Sequence, residues 1–514
     1  MLWIALHLPL LSLESFAATL PHAAVEPPLA LMDTRQVLSV NAAAHALGIR
    51  PGLKRATALA LAPQLTLGQS DPARDAQALT AVAHAALAFT PAVSIQPAGA
   101  ASSGDAPDTV LLDVQASLRY FGGLPALLQR LQEALAPLGH RLHTVSARTA
   151  LGAALLARMH PRLDCADLAA TRRALATAPV WLLGPGREHW EALQGMGLHT
   201  LADLTAMPRD GLARRFGEAV LSELDRALGD RPDPREPLAL PPAFDSRLEL
   251  FARADTAEQL LHGAGLLLAR LVAWLSAQHA FVRRFSLVMA HEKYARRDVP
   301  VAEFTTLDMA LAEPSRDSAH LLLLLRERLA QLQLPAPTLE LRLHADDIAR
   351  RAPPNTELFP TPASEQDGLT RLIERLQARL GPDQVLRLRP HSDHRPEHAS
   401  AWRAADAQMR PPHARSRQGG LAGQRVPGAT PAMRPVWLLP QPEALRERDN
   451  APVLDHQRLQ LLSGPERIES GWWDAALAER DYFIAQLPGG ALVWIYRARV
   501  PVDGERWFLQ GRFG

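Results

Sequence analysis

The sequence contains one cysteine, Cys165, and two lysines, Lys54 and Lys293, among its 514 residues. A single thiol excludes an internal disulfide framework and is typical of a reducing compartment, so we expect a cytoplasmic protein. The net charge is only +1, which confines any nucleic-acid contact to a local patch. No P-loop motif is present in the sequence, so a P-loop ATPase is not expected.

Long apolar runs are also missing from the sequence. The leucine run at 321–325 is far shorter than the ~20 residues of a membrane-spanning helix, so no membrane association is expected. The N-terminal stretch is apolar, but no basic residues precede it, and His7, Pro9 and Glu14 interrupt it. We therefore expect no export signal there.

The length of the chain predicts roughly three or four domains. In residues 1–165, the order of predicted elements is β-α-β-β-α-β, which is typical of a ferredoxin-like α+β domain. Its strands are predicted at 1–7, 92–96, 109–114 and 141–145, and its main helices at 71–89, 124–135 and 150–159. An insertion at about 25–70 interrupts this order with short strands at 29–31 and 37–41 and a helical segment at 42–61 that is broken at 48–52.

The remainder of the chain divides at proline-rich segments. Residues 166–236 are predicted to be helical, and a stiff linker follows at 231–242. Residues 243–348 repeat the β-α-β-β-α-β order, with strands at 248–251, 282–291, 298–304 and 338–344 and helices at 257–278 and 317–332. Residues 349–435 contain a proline-rich loop, one helix at 369–380 and a linker predicted to be disordered. Residues 436–514 predict a β-rich module with a hairpin turn at 488–490.

Two short segments indicate the original chemistry of this scaffold. The first strand reads MLWIALHLPLLSLE, and residues 106–113 read APDTVLLD. They resemble the metal-binding strands of Y-family (DinB/UmuC-type) DNA polymerases, which carry two Asp in the first strand and an Asp-Glu pair in the second. In this sequence Ala5 and His7 stand at the two Asp positions. Asp108 is retained, and Thr109 stands at the Glu position.

These replacements remove most of the ligands that the resemblance would require. Nucleotidyl transfer by this fold uses two Mg²⁺ ions, ~4 Å apart, clamped between carboxylates and phosphates. Alanine offers no ligand, imidazole suits Mg²⁺ poorly, and threonine is neutral. Asp113 is also retained, but five residues along a strand predict that it faces away from Asp108. We therefore expect no metal, no cofactor and no polymerase reaction. The alternative is an active Y-family translesion polymerase that uses Asp108, Asp113 and a substitute ligand.

The positions that would bind the nucleotide are altered as well. Residues 41–49, NAAAHALGI, resemble the fingers element that supplies a Tyr and an Arg to the incoming triphosphate, and here these positions are Ala42 and His45. Residues 149–154, TALGAA, resemble the family's N-K-x-x-A-K segment, in which both lysines have become alanine at Ala150 and Ala154. The resemblance therefore implies that contacts to the triphosphate are lost.

Four glycines mark a candidate phosphate-binding thumb. Gly184, Gly186, Gly195 and Gly197 lie in a segment that resembles the helix-hairpin-helix thumb of the same polymerases. Such hairpins offer backbone N–H groups to a DNA phosphate. A simple helical connector is the alternative interpretation.

Four arginines in the second β-α-β-β-α-β domain are candidate DNA contacts. The domain resembles the little finger of the family, which lies along DNA, so the resemblance implies phosphate contacts from Arg283, Arg284, Arg296 and Arg297. A solvated basic edge that discourages strand aggregation explains the same residues equally well.

The C-terminal module carries the most specific resemblance. Residues 464–473, 480–483 and 506–511 read GPERIESGWW, RDYF and RWFLQG. They resemble the tail of ImuB-type proteins, the catalytically degenerate Y-family members of bacterial damage-inducible mutagenesis cassettes. The resemblance implies a non-catalytic translesion-synthesis adaptor of the SOS response. Its implied partners are primer-template DNA, bound weakly, the sliding clamp, a RecA-like ImuA protein and a C-family error-prone polymerase. A scaffold without DNA contact is a further alternative.

Two interpretations are open for four tryptophans of this module, Trp472, Trp473, Trp494 and Trp507. Stacked aromatic rings can bind single-stranded nucleic acid, but core filling is the expectation that we favour.

One loop segment is a candidate clamp-binding peptide. Such peptides insert an aliphatic and an aromatic side chain into an apolar pocket. Asn355, Leu358 and Phe359 fit this pattern in the polar loop after the little finger, although Asn355 replaces the usual Gln. The competing segment 331–335, QLQLP, has no aromatic residue, and its leucines are expected in the core.

Overall fold

The structure is a computed structural model of the whole chain. It describes residues 1–21, 26–96, 107–292, 302–350, 362–405, 434–435, 437–474, 476–502 and 505–513. The chain forms two compact units, Met1–Thr361 and Pro362–Gly514. The α+β multidomain class is confirmed, because mixed sheets and helices build the first unit and a β-rich module dominates the second.

The first unit begins with the ferredoxin-like domain and the fingers inserted in it; we call this domain the palm, after the polymerases that the sequence resembles. Their elements, in chain order, are β1 (Trp3–His7), α1 (Leu11–Ala17), β2 (Leu29–Met32), β3 (Val37–Val40), α2 (Ala42–Ala46), α3 (Arg55–Leu61), β4 (Thr66–Gln69), α4 (Pro72–Leu87), β5 (Val93–Ile95), β6 (Thr109–Asp113), α5 (Leu118–Phe121), α6 (Leu124–Leu135), β7 (His143–Ala147), α7 (Ala150–Met159) and β8 (Arg162–Asp164). The palm sheet has the order β5-β6-β1-β7-β8. Its first four strands show the ferredoxin-like arrangement, with β1 antiparallel to both β6 and β7.

The central strand β1 is buried along its whole length and separates two apolar clusters. Since side chains alternate along a strand, Ile4 and Leu6 point to one face, where α4 and α6 cover them. Trp3 and Ala5 point to the other face and pack against α7 and the thumb. This second face is the one on which the resemblance places catalysis.

The fingers consist of the small sheet β3-β2-β4 with α2 and α3. Asn41 fixes their entry into α2, because its side chain accepts hydrogen bonds from the backbone of Leu29 and Ala44. The break predicted at 48–52 lies between the two helices, and Gly48 and Gly52 both adopt positive φ there.

The thumb is helical, as predicted. It contains α8 (Leu168–Ala176), α9 (Gly184–Glu188), α10 (Trp190–Gly195), α11 (Leu201–Ala206), α12 (Arg209–Phe216) and α13 (Glu218–Leu228). A capping box between Thr200 and Asp203 starts α11.

The little finger contains β9 (Phe244–Ala254), α14 (Ala257–Ala277), β10 (Ala280–His291), β11 (Phe304–Ser315), α15 (Ser318–Leu329) and β12 (Thr338–Arg350). Its sheet has the order β11-β10-β12-β9. Most of the strand predicted at 298–304 lies outside the described residues, and the strand that the structure describes next to it, β11, runs from Phe304 to Ser315. The buried Leu307, Met309 and Leu311 alternate with the exposed Asp308 and Ala310, as in a strand with one buried face.

Helix α14 lies between the little finger and the palm. It packs against β9, β10 and β12 and also against α4, where Ala269 and Ala273 join the palm core. Its length and apolar composition would suffice for a membrane span, contrary to the expectation from the leucine runs, but 61% of the apolar window is buried. A core helix of a folded domain passes the same test, so this is weak support for a membrane span.

The second unit contains α16 (Pro362–Leu380), β13 (Leu386–Pro390), β14 (Ser400–Ala404), β15 (Trp437–Arg448), β16 (Ala451–Leu454), β17 (Gln457–Arg458), β18 (Gln460–Ser470), β19 (Ala478–Gln486), β20 (Leu492–Val502) and β21 (Glu505–Arg512). Strands β13 and β14 form a hairpin, and the other strands form one sheet of order β17-β16-β15-β21-β20-β19-β18. The helix and hairpin therefore belong to the same compact unit as the β-rich module, across the domain boundary predicted at 436.

The tryptophans of this module divide into two groups. Trp507 and Trp494 are buried in clusters that lie on opposite faces of the sheet, so the prediction of core filling is confirmed for them. Trp472 and Trp473 are exposed, and the same prediction is wrong for this pair. Arg395 holds the turn beneath them, because its guanidinium bonds Asp474 and lies over the Trp473 ring.

Candidate functional site

The position of the first missing carboxylate is filled by apolar packing. Ala5 is fully buried and belongs to a cluster that includes Ala150, Ala153 and Ala154 of α7. Two of these, Ala150 and Ala154, stand where the resemblance places triphosphate-binding lysines. The first turns of α7 therefore close directly over β1, in space where the family would keep charged groups.

Beside Ala5, a short hydrogen-bond chain joins the other predicted metal positions. β1 and β6 place His7 opposite Thr109. The Thr109 hydroxyl donates to Asp108 Oδ1 at 2.8 Å, so its oxygen is left to accept from His7 Nδ1 at 3.1 Å. The imidazole of His7 also lies edge-on to the ring of His143, with 5.7 Å between centroids.

The remaining carboxylate is bound by an arginine that the sequence analysis did not identify. Arg158 Nη2 donates to both oxygens of Asp108, at 3.0 and 3.1 Å. Arg158 lies on α7 four residues after Ala154, and residues with this spacing share one face of a helix. The only signal for this contact in the sequence was the position of Arg158, four residues after Ala154, which stands at a lysine position of the resemblance.

The electrostatic environment keeps Asp108 ionised. Burial by itself would raise the pKa of Asp108, but the hydrogen bond from His7 and the positive charge of Arg158 oppose this effect and bring the pKa down to about 2. Asp108 and Arg158 each keep 28% of their side-chain surface exposed, so the pair is partly shielded from water. A guanidinium therefore supplies the positive charge next to this carboxylate.

The residues present do not fit a two-metal centre. A magnesium ion would have to displace Arg158 from Asp108, and the other metal positions of the resemblance offer it only an alanine, an imidazole and a hydroxyl. Among the residues that the structure describes, no cluster of three His, Cys, Asp or Glu side chains is suited to a metal ion. Asp113 lies opposite Trp3 at the far end of β6, so distance along the strand separates it from Asp108, rather than the difference in face predicted from the spacing. The carboxylate of Glu14 accepts a hydrogen bond from the backbone N–H of Arg141.

The fingers offer little to a nucleotide at the predicted positions. Ala42 and His45 are both exposed on the short helix α2. The nearby Arg50 donates to the backbone carbonyls of His45 and Ile49, which draws its guanidinium towards the turn.

The thumb glycines have different structural roles. The backbone N–H of Gly184 donates to the Glu223 carboxylate at 3.0 Å, and a Cβ on Gly186 would lie 2.2 Å from the Val180 carbonyl oxygen. Gly197 adopts a positive φ of 77° at the hairpin, whereas Gly195 has open space around it. The first two glycines therefore serve internal contacts.

Backbone donors of the hairpin are also used within the thumb. The N–H groups of Met196 and Gly197 bond to carbonyls of α10. Those of His199 and Thr200 bond to the Asp203 carboxylate, which lowers the pKa of Asp203. A phosphate at this hairpin would have to compete with an internal carboxylate, and phosphate binding by the thumb stays a prediction.

Arg283 and Arg284 both face solvent from the middle of the little finger. Adjacent residues of a strand normally point to opposite faces, but β10 has a register shift between Val282 and Arg284 that breaks the alternation. The other two candidates, Arg296 and Arg297, lie outside the described residues. DNA contact by these arginines stays a prediction.

The same sheet carries charges of both signs on its exposed positions. Arg342 bonds both oxygens of Asp245, and Arg247 lies 4.0 Å from Glu340. Such pairing reduces the positive potential that would attract a phosphate backbone.

The structure describes one of the two candidate clamp-binding segments. Asn355, Leu358 and Phe359 lie outside the described residues. The competing segment 331–335 forms the turn between α15 and β12, where Leu332 and Leu334 are half-buried rather than in the core.

The fold and the site define a polymerase-like protein in which an arginine–aspartate pair lies where the sequence resemblance places the metal-binding carboxylates. No protein-family model matches the chain. The chain is 32% identical over 492 residues to Protein ImuB of two strains of Caulobacter vibrioides, NA1000/CB15N and ATCC 19089, covering 91% of this chain and all of each relative. The chain therefore belongs to the ImuB family, as the resemblance in its sequence predicted.

Solved structures give more distant similarities. The chain resembles a Dbh ternary complex with 16% identity and a TM-score of 0.36, covering 68% of this chain and 99% of that one. It also resembles DinB from Sulfolobus solfataricus with 16% identity and a TM-score of 0.34, covering 68% of this chain and 99% of that one.

Proposed function

We propose that this protein is a non-catalytic adaptor in damage-induced translesion synthesis and mutagenesis. The contact between Arg158 and Asp108 carries the proposal, because it commits the carboxylate of Asp108, retained at a metal-binding position, to an internal cation. The burial of Ala5 under α7 supports it, since an apolar cluster stands where a ligand would be needed. Chemistry on DNA would then be supplied by another protein.

A primer-extension assay with Mg²⁺ and with Mn²⁺ tests the catalytic part of this proposal. A Y-family polymerase with all its carboxylates serves as the positive control. We expect no template-directed incorporation by the full chain. Incorporation that Asp108→Ala abolishes would establish an active polymerase and overturn the proposal.

We further propose that the adaptor binds primer-template DNA weakly through the little finger. Arg283 and Arg284 support this part, because the irregularity in β10 exposes both guanidinium groups. Removing one phosphate contact reduces the slope of log K against log[salt] by ~0.9. Arg283→Ala plus Arg284→Ala should therefore weaken binding and flatten the salt dependence. Arg342→Ala is the matched control, since its guanidinium is already bound to Asp245. No binding at low salt would favour a scaffold that does not contact DNA.

The adaptor would link the sliding clamp, a RecA-like ImuA partner and a C-family error-prone polymerase. The family of the chain supports this part of the proposal. A clamp pull-down should lose capture with Leu358→Ala plus Phe359→Ala. The matched variant Leu332→Ala plus Leu334→Ala should retain it. The opposite result would assign clamp binding to the turn at 331–335.

A further inference from the structure

The hairpin of β13 and β14 carries its basic and its apolar side chains on opposite faces. Arg387 lies directly opposite Arg403 across the two strands, so both side chains belong to one face. Arg389 follows Arg387 by two residues and shares that face. We call these three residues the arginine face. The other face carries three exposed apolar residues, Leu386, Leu388 and Trp402.

The hairpin is held at both ends by other parts of the second unit. Val385 and Ala405, which flank the two strands, are buried, and Gln377 of α16 donates to the Ala405 carbonyl at 2.5 Å. At the other end, Arg395 of the connecting loop is buried and bonds the Asp474 carboxylate. Between these contacts the arginine face remains accessible, since two of its residues are exposed and the third is half-buried.

The arginine face has no internal counterion. Neither strand contains an acidic residue, and within the described part of the chain none of the three guanidinium groups bonds a carboxylate. Like charges directly opposite each other destabilise a pair of strands, so Arg387 and Arg403 need an anion between them. Several other arginines of this unit have carboxylate partners, in the pairs Arg434–Glu466, Arg467–Asp481 and Arg499–Glu469. The arginine face is therefore suited to an external anion.

The position of the apolar residues favours DNA over a protein as the source of this anion. Protein interfaces bury an apolar core within a polar rim, but the arginine face offers only Ala401 beside its charges. A phosphodiester backbone requires no apolar contact, and guanidinium groups bind phosphate oxygens through paired hydrogen bonds. Strand geometry places the three arginines within ~8 Å of one another, so one short stretch of backbone can reach all of them.

We propose that the arginine face is a further DNA contact of this protein and binds the phosphate backbone without reading its sequence. This inference rests on the DNA-binding part of the proposed function and deepens it. It adds a contact in the C-terminal unit that is separate from Arg283 and Arg284 of the little finger. The exposed apolar face of the hairpin contributes nothing to this contact.

Fluorescence anisotropy with the full chain and labelled DNA of arbitrary sequence tests the proposal over a salt series. Each phosphate contact contributes ~0.9 to the slope of log K against log[salt] on a duplex and ~0.7 on a single strand. Arg387→Gln, Arg389→Gln and Arg403→Gln together should therefore flatten the slope by about 2.7 or about 2.1. As salt falls from about 200 to about 50 mM, the affinity ratio of wild type to variant should grow ~40-fold on the duplex or ~20-fold on the single strand. The two values distinguish which form of DNA the face binds.

A second group of arginines in the same unit provides the matched control. Arg446, Arg448 and Arg458 are exposed, but residues 446–458 contain as many acidic as basic residues. Their replacement with glutamine changes the net charge of the chain by the same amount and should leave the slope unchanged. Equal flattening by both triple variants would reveal a general effect of net charge and overturn the proposal.

Arg403→Glu separates folding from DNA binding. A glutamate opposite Arg387 replaces a like-charge pair by an opposite-charge pair, so urea unfolding should show no loss of stability. DNA binding should nevertheless weaken more than in Arg403→Gln, because the new carboxylate repels phosphate. Undiminished DNA binding by the folded Arg403→Glu variant would overturn the proposal.

The remaining outcomes distinguish this contact from the others. An unchanged slope in the triple variant of the arginine face, with the slope reduced by Arg283→Ala plus Arg284→Ala, would refute the hairpin contact alone. Weaker binding of a single strand by Trp402→Ala would assign the contact to base stacking on the apolar face and also refute it. Absence of DNA binding by the wild type would refute both contacts. Primer extension is independent of these readouts, so the non-catalytic assignment would still stand.

Discussion

Replacement of Arg158 by alanine should destabilise the palm by about 2 kcal/mol at neutral pH. Exposed ion pairs contribute up to ~1 kcal/mol, whereas removing one partner of a buried pair costs about 3–5 kcal/mol. Asp108 and Arg158 lie between these limits, since each keeps 28% of its side-chain surface exposed. The pKa of Asp108 gives a similar magnitude. A decrease from 3.8 to about 2 corresponds to ~2 kcal/mol for all its partners together.

A double-mutant cycle measures the pair itself. Urea unfolding of the wild type, Arg158→Ala, Asp108→Asn and the double variant should give a coupling free energy of about 1.5 kcal/mol. Because the folded-state pKa of Asp108 lies below its unfolded value, the stabilisation is complete above pH ~4 and is lost as the pH falls towards about 2. Coupling below ~0.3 kcal/mol, or coupling that does not weaken in acid, would refute the assignment of Arg158 as the cation of this site.

Five other substitutions should change the free energy of unfolding, measured with urea, by different amounts, and four of them form two matched pairs. Ala5→Asp should cost about 3 kcal/mol or more, since it places a carboxylate in an apolar cluster, and a smaller cost would mean that the site is open to water. Gly186→Ala should destabilise the thumb because its Cβ would meet a carbonyl oxygen, whereas Gly195→Ala should be neutral or stabilising. Trp507→Ala should cost about 3–5 kcal/mol, and Trp472→Ala should stay within ~0.5 kcal/mol. Equal costs within either pair would contradict these assignments.

Local signals explain which elements could be predicted from the sequence. The helices at 124–135 and 150–159 were predicted with the bounds that the structure has, because apolar periodicity and clear breaks define them. Helix α16 was predicted to begin at 369 but begins at Pro362, since the proline-rich context favoured a loop. Proline is tolerated in the first turn of a helix, so its presence did not exclude an earlier start.

Contacts between distant residues explain what the sequence could not reveal about the site. The losses at Ala5 and Thr109 are visible in the motif itself. The contact between Arg158 and Asp108 is not visible there, because these residues are fifty positions apart and meet only through the packing of α7 on the palm sheet. The exposure of four leucines on α16, Leu369, Leu372, Leu376 and Leu380, was missed for a related reason. Apolar periodicity shows that a helix has a face, but only the folded neighbours decide whether that face is buried.

The contact between Arg158 and Asp108 means that this site does more than lack ligands, because an internal cation already occupies its carboxylate. If only ligands were missing, Ala5→Asp, His7→Asp and Thr109→Glu would recreate the carboxylate cluster. Here a restored cluster would still meet the guanidinium of Arg158, which already bonds both oxygens of Asp108. Additional carboxylates would strengthen its attraction to the site and oppose its displacement by a divalent ion. Recovery of metal binding therefore requires removal of Arg158 as well, so changes in three elements of the palm, β1, β6 and α7, have to coincide.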